Sequence, residues 1–414
     1  MENQLPFVGL NVLDIASYIA GPAATTMLAD LGASVIKVEP PDTGDPYRQA
    51  HVTPPHPPCE TDYAWQLTNR NKRGIAVDLK HPDGQAVLAR LVERADVLVT
   101  NFPQPVRVAL GLDREAIGRL NPRLVYADVT GYGSRGADAD RPGFDVTAFW
   151  ARTGHMHATH DVDGPPALPI PGIGDHATAC TLFGAIVTAL YTRDRTGRGA
   201  HVTTSLMAQG AWSAGLWLEA AMHGAEFFPQ QSRKRPANPL INSYRTADDR
   251  WLILVAMQER HWQKLALAIG RPELAQDARF GDARARAAHA EALTGILETA
   301  FADRPLVQWE AMLGAAQLNF SVVREVHEVA ADPQLLLNDV LTPLARPVGH
   351  ATHTVNSPVQ IAGLGKVPPQ RAPDIGEHTE EVLRELGFAP AFMAKMRREG
   401  TARSTAAPPV RPVA

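Results

Sequence analysis

The N-terminal segment alternates short apolar runs with a helical pattern. Residues 11–16 and 33–39 each have the apolar density of a buried β-strand. Between them, a helical pattern begins at Gly21, continues through Met27 and ends at Gly32, which is typical of a C-cap residue. A strand, a helix and a strand within so short a segment form a βαβ unit, so the two strands are predicted to be parallel.

The same alternation continues further along the chain. Its spacing predicts helices over residues 82–94 and 113–120 and after Asp175, and strands over residues 96–100, 124–130 and 200–206. The segment 51–58, HVTPPHPP, contains four prolines, which lack the N–H that helices and strands require, so it is predicted to be a surface loop. Residues 70–73, before Asp78, are also predicted to lie on a loop. Residues 1–200 are therefore predicted to form a large, doubly wound (Rossmann-like) α/β domain.

The pattern changes after about residue 225, where amphipathic helices dominate and are predicted over residues 260–269, 285–301 and 306–313. Residues 201–245 are predicted to be a linker, and residues 246–330 a smaller, helix-rich α+β domain. Pro-, Gly- and Val-rich sequence follows, so residues 331–400 are predicted to return to the large domain. The last residues, 401–414, read TARSTAAPPVRPVA and are predicted to be a disordered tail.

Composition excludes several classes of function. Apolar residues make up 45% of the chain and the net charge is -4, so the protein is globular and has no positive field for nucleic acid or an anionic membrane. The longest uncharged window, 199–218, contains Gly, His, Gln, Ser and Thr and is not typical of a membrane span. The two cysteines and the absence of a basic residue before Lys37 favour a cytoplasmic protein without a secretory signal.

Common cofactor motifs are also missing. The turn after the first strand contains one glycine and no GxGxxG, and no GxxxxGK[ST] occurs, so neither a dinucleotide site nor a P-loop is predicted. His155, His157 and His160 lie near Asp161 and Asp163, but this spacing fits no standard zinc pattern, so no metal site is predicted.

The strongest local feature is Pro171-Gly-Ile-Gly-Asp175, which precedes the long apolar helix. An Asp at a helix start is most often an N-cap. The same geometry also suits catalysis, because Gly172 and Gly174 leave room for a substrate and the helix N-terminus is expected to keep the carboxylate ionised and to stabilise an oxyanion. A positioned, desolvated carboxylate can act as a nucleophile.

Short motifs along nearly the whole chain resemble those of the class III coenzyme A-transferases, also called the CaiB/BaiF family. They occur in the family's order: Val12-Leu-Asp14, Gly21-Pro22, Ala29-Asp-Leu-Gly-Ala33, Val35-Ile-Lys-Val-Glu-Pro40, Gly44-Asp45, Asn71-Lys-Arg73, Asp78-Leu-Lys80, Ala95-Asp-Val97, Asn101-Phe102, Asn121-Pro122, Gly131-Tyr-Gly133, Pro142-Gly-Phe-Asp145, Gly164-Pro-Pro166, Gly172-Ile-Gly-Asp175, Thr196-Gly-Arg-Gly199 and Gly376-Glu-His-Thr379.

This resemblance implies a nucleophile, a reaction and an assembly. The family's nucleophilic Asp falls on Asp175, with Gly172 and Gly174 supporting the turn and the oxyanion. The implied reaction moves CoA from an acyl-CoA to a free carboxylic acid through aspartyl anhydrides and an aspartyl-CoA thioester, without ATP. CoA thioester is then a co-substrate, and no permanently bound cofactor is implied. Family members form ring-like, interlocked homodimers, so the chain itself is the implied protein partner.

The resemblance also suggests residues that bind CoA. Tyr18 and Ile19, and Asn101 and Phe102, match family positions that line the CoA cleft, at the strand ends where α/β sheets bind ligands. CoA carries phosphates, so basic residues are expected along its path, with Arg70, Lys72, Arg73 and Arg107 as the main candidates and Arg48 and Arg135 as further ones.

Three alternatives bear on the function. The related α-methylacyl-CoA racemases carry Gly-His-Asp where this chain has Gly143-Phe144-Asp145, and a phenyl ring cannot transfer a proton. A non-catalytic CoA-binding protein would not need the carboxylate of Asp175. The formyl-CoA transferase branch has a Gly-rich loop, whereas residues 233–244 contain no glycine, so the donor and acceptor acids stay open.

Overall fold

The computed structural model describes residues 5–162, 164–227 and 232–405. The chain divides into two compact units. The first contains Met1–His155, Pro169–Leu216 and Gln334–Ala414, and the second contains Met156–Leu168 and Trp217–Pro333. The first unit extends to residue 216, beyond the predicted boundary at residue 200, because the strand predicted there is followed by a helix that packs on it.

The strands in chain order are β1 (Asn11–Ile15), β2 (Ser34–Glu39), β3 (Arg73–Val77), β4 (Val97–Thr100), β5 (Val125–Thr130), β6 (His201–Ser205), β7 (Ile241–Arg245), β8 (Trp251–Val255), β9 (Phe320–Val322), β10 (Leu341–Val348), β11 (Ala351–Val355) and β12 (Ala402–Arg403).

The α-helices are α1 (Ala20–Asp30), α2 (Tyr63–Asn69), α3 (Pro82–Arg94), α4 (Gln104–Ala109), α5 (Arg114–Leu120), α6 (His155–Thr159), α7 (Ile173–Thr196), α8 (Leu206–Ser213), α9 (Gly215–Met222), α10 (Glu259–Ala268), α11 (Ala283–Ala288), α12 (Ala290–Phe301), α13 (Leu306–Ala315), α14 (Val326–Val329), α15 (Pro333–Leu337), α16 (Thr379–Glu385) and α17 (Pro390–Arg398). Short 3₁₀ helices cover Pro46–Val52 and Pro272–Gln276, and a π-helix covers Asp145–Ala151.

The first unit is built on a seven-stranded sheet in the order β12-β3-β2-β1-β4-β5-β6. Strands β1 to β6 are all parallel, and β12 pairs antiparallel with β3 at the edge of the sheet. The order 3-2-1-4-5-6 is that of doubly wound folds, which confirms the predicted fold class. The chain reverses direction across the sheet between β1 and β4, where such folds bind ligands.

Alternate residues of the central strands point to opposite faces of the sheet, and each face carries a helix layer. Val12 joins a core with α1 and α7, in which Leu182 and Ile186 of α7 are fully buried. Leu13, the next residue, joins a second core with α3, α5, α16 and α17. This double cover explains why the strands read as continuous apolar runs rather than alternating ones.

Helix α7 is long and apolar enough to cross a membrane by length and composition alone. Its Leu182 and Ile186 side chains, however, lie in the core against α1, and core helices of globular proteins can have the same length and composition. The last turn carries Arg193, which pairs with Asp96 at 2.9 Å. Such a helix is weak evidence for a membrane span.

A fully buried ion network lies beneath the carboxyl ends of β1 and β2. The Lys37 ammonium lies 2.9 Å from Asp45 and 3.6 Å from Asp14, and the Lys72 ammonium lies 2.8 Å from Asp14. The two lysines lower the pKa of Asp14 although burial alone would raise it. Burial is the main reason that the pKa of Lys72 falls to about 8. The network ties the loops after β1 and β2 to the sheet.

The second unit has its own core. Strands β7, β8 and β9 form an antiparallel sheet, and helices α10, α12 and α13 pack against it through buried aromatic and leucine side chains. Trp262, Phe301 and Trp309 are at most 1% exposed. The second unit thus combines a small antiparallel sheet with several helices.

Three local predictions need correction. Residues 70–73 were expected on a loop, but Arg73 begins strand β3, and α2 precedes it. A single helix over 285–301 is interrupted at His289, which separates α11 from α12. The start of the expected disordered tail is ordered, because β12 pairs with β3 and the Thr401 carbonyl accepts from Asp78 N. The remainder of that tail, 406–414, lies outside the described residues.

Candidate active site

The candidate site lies at the switch point of the sheet, where the loops after β1, β2, β4 and β5 meet. The side chain of Asn101, just after β4, bridges to the loop after β1 by accepting from Ser17 N at 2.9 Å and donating to Ser17 O at 2.7 Å. Asp45, after β2, accepts from Tyr18 N at 3.2 Å. These bonds hold Tyr18 at a φ of 63°, which turns the chain at the mouth of the sheet.

Asp175 is the third residue of α7. The helix begins after Gly172, whose φ of 92° favours glycine, so Asp175 is not the N-cap that the sequence suggested. Its carboxylate lies in the first turn, where the positive end of the helix dipole is located. The side chain is partly buried and lines a cavity of about 450 Å³ at the switch point.

A second carboxylate, Asp145, holds the turn before Asp175. Its two oxygens accept from Gly172 N at 2.7 Å and from Gly174 N at 3.0 Å. A Cβ on Gly174 would lie 2.2 Å from Asp145 Oδ1 and 2.3 Å from the ring of Phe149. Gly174 is therefore required for packing against Asp145, rather than to open space for a substrate.

The electrostatics of Asp175 differ from the expectation that the helix keeps it fully ionised. Burial, and secondly the negative charge of Asp145, raise the pKa of Asp175 to about 7. The pKa of Asp145 is also raised by burial, although the backbone N–H groups of Gly172 and Gly174 counteract this. At neutral pH the carboxylate of Asp175 is therefore poised between its protonated and ionised forms.

Replacing Asp145 should shift the pH dependence of the reaction. If the ionised form of Asp175 is required, kcat/KM decreases at pH values below the pKa of Asp175. Asp145→Asn removes a neighbouring negative charge, so we expect the acidic limb to move to lower pH by roughly half to one unit. Asp42→Asn, at an exposed position, is the control. An unchanged acidic limb in Asp145→Asn, measured by pH–rate profiles, would contradict this coupling.

Three aromatic side chains line the cavity beside Asp175. Tyr18 contacts Phe144 edge-on with ring centres 5.6 Å apart and lies 6.3 Å from the ring of Tyr47. Burial, and then the charge of Asp175, raise the pKa of Tyr47, so its hydroxyl stays protonated and can donate a hydrogen bond. The other lining residues are Ile19, Ala20, Pro46, Gln49, Ala50, Thr53, His56, Asn101, Val129, Thr130, Gly131, Gly143, Asp145, Val146, Pro171, Gly172 and Leu206.

A sequence model described as CoA-transferase family III matches residues 7–379. The chain belongs to CoA-transferase family III. It is 33% identical over 407 residues to the cinnamoyl-CoA:phenyllactate CoA-transferase of Clostridium sporogenes, with 96% of this chain and 98% of that one covered. It is 32% identical over 382 residues to the (R)-2-hydroxy-4-methylpentanoate CoA-transferase of Clostridioides difficile, with coverages of 92% and 95%.

The fold comparison agrees with the family. A crystal structure of a CAIB/BAIF family protein from Brucella suis matches with a TM-score of 0.81 and 29% identity, covering 93% of this chain and all of that one. The resemblance to the CaiB/BaiF family is thus confirmed, and the protein is a CoA-transferase that moves CoA between acyl-CoA and carboxylic acids.

The structure brings several residues suggested by the family resemblance into this cavity. Tyr18, Ile19, Asn101, Gly172 and Asp175 all line it. Phe102 lies instead in an adjoining cavity of about 350 Å³, which shares Tyr18, Asn101 and Phe144 with the first and is flanked by Arg141. The two cavities together make a cleft that runs from Asp175 past the end of β4.

The four main cations suggested for the CoA phosphates lie elsewhere. Arg70 pairs with Asp30 at 2.7 Å, Lys72 with Asp14 at 2.8 Å, and Arg107 with Asp128 at 3.1 Å, all buried. Arg73 pairs with the exposed carboxylates Glu381 and Glu385. None of the four lines either cavity among the described residues. Arg70 lines a separate cavity of about 620 Å³ beside His176, and binding of the CoA phosphates by these four cations stays a prediction.

Sequence reasoning missed Asp145, Tyr47 and His56 as residues of the site. Asp145 stands in the Gly143-Phe144-Asp145 triplet, which was interpreted only for its phenylalanine. Tyr47 follows the family motif Gly44-Asp45, and Asp45 accepts from Tyr47 N at 2.9 Å, so that motif was the available signal. His56 lies in the proline-rich loop, where nothing in the sequence indicates proximity to Asp175.

One cluster of described residues could hold a metal ion, namely His81, Asp83 and Glu399. It does not contribute to either cavity, and Asp83 already pairs with Lys395 at 2.7 Å. Of the histidine-rich segment considered in the sequence, His155 stacks on Phe149 and its Nε2 lies 3.1 Å from the Gly210 carbonyl, while Asp163 lies outside the described residues.

Proposed function

We propose that this CoA-transferase works through covalent intermediates on Asp175. The observation that carries the proposal is the partly buried Asp175 carboxylate, with its pKa near 7, at the switch-point cavity of the sheet. A carboxylate with a raised pKa is more basic, and hence more nucleophilic, than an ordinary one, yet a substantial fraction of it is ionised at neutral pH.

Four steps complete the transfer. An oxygen of Asp175 attacks the acyl-CoA carbonyl, the carbon–sulfur bond breaks, and a mixed anhydride forms with free CoA thiolate. The thiolate attacks the aspartyl carbonyl and releases the donor acid, which leaves an aspartyl-CoA thioester. The acceptor carboxylate attacks that thioester and expels the thiolate, which forms a second anhydride. The thiolate then attacks the acceptor carbonyl, giving the new acyl-CoA and free Asp175.

The neighbours of Asp175 have separate tasks in these steps. The family resemblance implies two roles for Gly172 and Gly174, support of the turn and stabilisation of an oxyanion. Gly172 N and Gly174 N donate to Asp145, so they support the turn and are already used as donors there. The protonated hydroxyl of Tyr47 is the better candidate for stabilising the tetrahedral oxyanions. CoA is proposed to follow the adjoining cavity past Asn101 and Phe102, which keeps the released thiolate close to the anhydride.

Each step conserves an activated acyl bond, so the proposal requires neither ATP nor a permanently bound cofactor or metal. The substrates are an acyl-CoA and a small carboxylic acid. The two relatives reported above are named for CoA transfer involving phenyllactate and 2-hydroxy-4-methylpentanoate, which supports organic acids as acceptors. The net charge of -4 favours no nucleic-acid or membrane partner, and we propose a cytoplasmic location.

We further propose that the chain forms an interlocked homodimer of ring-like subunits. The support is family membership together with the return of residues 334–405 to the first unit after the second unit is complete. Sedimentation equilibrium should give twice the chain mass of 44.7 kDa, without dissociation at nanomolar concentration. A stable and active monomer would contradict this arrangement.

An α-methylacyl-CoA racemase is the alternative reaction for this fold, and Phe144 argues against it. Racemisation needs two proton-transferring groups on opposite faces of the α-carbon. Phe144, 57% exposed, lines the cavity where racemases carry histidine. We expect no enzyme-dependent α-proton exchange with a 2-methylacyl-CoA in heavy water, followed by NMR. Exchange at a rate comparable with CoA transfer would contradict this, and its loss in His56→Ala would identify the base.

The proposed function is tested by a screen of acyl-CoA and carboxylic acid pairs with product detection by mass spectrometry. The expected result is transfer by the wild type for at least one pair and none by Asp175→Asn. Hydroxylamine added during turnover should convert Asp175 to its hydroxamate, because both the anhydride and the thioester are acylating agents. Turnover without modification of Asp175 would contradict covalent catalysis.

A further inference from the structure

We infer that the acid exchanged at this site is a monocarboxylic acid with an apolar side chain, aromatic or branched, and that dicarboxylic acids are rejected. The inference rests on the proposed function, because it assumes that the cavity beside Asp175 holds the acyl group. It follows from two features of that cavity, its apolar wall and the absence of Lys and Arg from its described lining residues.

The wall is built from buried apolar and aromatic side chains. Tyr47, Ala50 and Leu206 line the cavity and are at most 8% exposed, and Ile19 is 6% exposed. Tyr18 and Phe144 meet edge-on and present ring surface toward the same space. A phenyl or branched aliphatic group placed there would remove apolar surface from water on both sides, at about 25 cal/mol for each Å² buried.

No Lys or Arg side chain is among the described residues that line this cavity. Arg141, two residues before Gly143, lines the adjoining cavity and not this one. Arg48, between Tyr47 and Gln49, and Lys37 are both paired with other groups. Arg48 forms two hydrogen bonds with Glu39, at 2.9 and 2.8 Å, and its guanidinium stacks 3.7 Å above Trp65. Lys37 lies in the fully buried network with Asp14 and Asp45. Neither can turn toward a substrate without abandoning a buried carboxylate.

A second carboxylate on the substrate would therefore meet a repulsive environment. The cavity already contains the carboxyl groups of Asp145 and Asp175, and the charge of Asp145 raises the pKa of Asp175. A further desolvated anion would lose its hydration without gaining an ion pair. His56 is the one lining residue, among those described, with a basic side chain, and its Nδ1 lies 3.0 Å from the Thr53 carbonyl.

The test compares acids of matched length. With one acyl-CoA donor, kcat/KM is measured for 4-methylpentanoate against glutarate and for 3-phenylpropanoate against 3-(4-carboxyphenyl)propanoate. We expect a preference of roughly a hundredfold or more for each monocarboxylate, because a buried charge without a partner is strongly rejected. Equal or higher activity with the dicarboxylates would overturn the inference. His56→Gln is measured in parallel, and dicarboxylate activity that depends on His56 would overturn it as well.

A variant that supplies the missing charge sharpens the test. Gln49→Arg places a cation at the exposed edge of the cavity, and it should raise the ratio of kcat/KM for glutarate to kcat/KM for 4-methylpentanoate by at least about tenfold. Gln308→Arg, on the exposed surface of α13, is the matched control and should not change this ratio. No rise of the ratio in Gln49→Arg would contradict the role given to the absent cation.

Failure of this inference can be separated from failure of the proposed function. Hydroxylamine trapping at Asp175 needs only the acyl-CoA donor. If Asp175 is trapped but dicarboxylic acids are the better acceptors, the substrate inference is wrong and the proposed function stands. If Asp175 is never trapped with any donor that turns over, the proposed function is wrong.

Discussion

Asp175→Asn is expected to lower kcat for CoA transfer by at least about a thousandfold, because a carboxamide cannot form the anhydride or release it again. The substitution is nearly isosteric, so the turn held by Asp145 should persist and the acyl-CoA should still bind. The measurement is CoA transfer at saturating substrates, with acyl-CoA affinity measured by calorimetry. Transfer within tenfold of the wild-type rate would remove Asp175 from the mechanism.

The same variant should be more stable than the wild type at alkaline pH. The folded-state pKa of Asp175, about 7, lies above its ordinary value of 3.8, so the folded protein holds this proton more tightly than the unfolded chain. The wild type therefore loses stability as the pH rises from 4 through 7, and Asn avoids that loss. A full shift of three units corresponds to about 4 kcal/mol. Solvent contact of the side chain reduces the expected gain to roughly 2 kcal/mol.

Denaturant unfolding at pH 4 and pH 8 measures this effect. Asp175→Asn and the wild type should have similar free energies of unfolding at pH 4, and the variant should be the more stable at pH 8. If the variant were less stable than the wild type at both pH 4 and pH 8, the Asp175 side chain would stabilise the folded protein instead of destabilising it at alkaline pH. The active-site carboxylate would then have a structural role that its environment does not suggest.

Lys72→Met is expected to destabilise the protein by about 3–5 kcal/mol, because it leaves the buried carboxylate of Asp14 with one partner fewer. The Lys72 ammonium lies within 3.0 Å of Asp14, of the Pro22 and Thr68 carbonyls and of Asn69 Oδ1. We expect KM for acyl-CoA to stay within about twofold, since this side chain lines neither cavity.

The control is Arg90→Met, which removes an exposed cation and should change the free energy of unfolding by less than about 0.5 kcal/mol. Unfolding in urea, with KM from initial rates, distinguishes the two roles of Lys72. A strong rise in KM for acyl-CoA with an unchanged free energy of unfolding would show that Lys72 binds the CoA phosphates, as the resemblance suggested.

The sequence predicts the sheet well because its central strands are buried on both faces. Runs such as residues 11–16 and 33–39 do not alternate between apolar and polar residues. Such runs are typical of parallel strands that are covered by helices on both faces of the sheet. Strand β3 was missed because Arg73 and the preceding charged residues read as a loop, although their charges are neutralised by partners distant in sequence. Strand β12 has two residues, and only its pairing with β3 identifies it.

The sequence predicts those residues of the site that lie at the ends of strands and helices or within short family motifs. Asp175, Tyr18, Ile19 and Asn101 follow from helix and strand termini and from the family motifs, and all four line the cavity. The four suggested cations line neither cavity, because the sequence shows a positive charge but not the carboxylate that it meets after folding. Asp145, whose oxygens hold the backbone before Asp175, depends on a tertiary contact that no local pattern records.

The most direct test of the account follows one oxygen atom. An acceptor acid labelled with ¹⁸O in both carboxyl oxygens is mixed with a stoichiometric amount of enzyme and acyl-CoA, and the peptide that contains Asp175 is examined by mass spectrometry. In the anhydride mechanism the acceptor oxygen that bonds to the aspartyl carbonyl stays there when CoA thiolate takes the acceptor acyl group. The account predicts one ¹⁸O in Asp175 per turnover. Formation of labelled acyl-CoA without ¹⁸O in Asp175 would contradict it, because the acceptor would then have attacked the donor thioester directly.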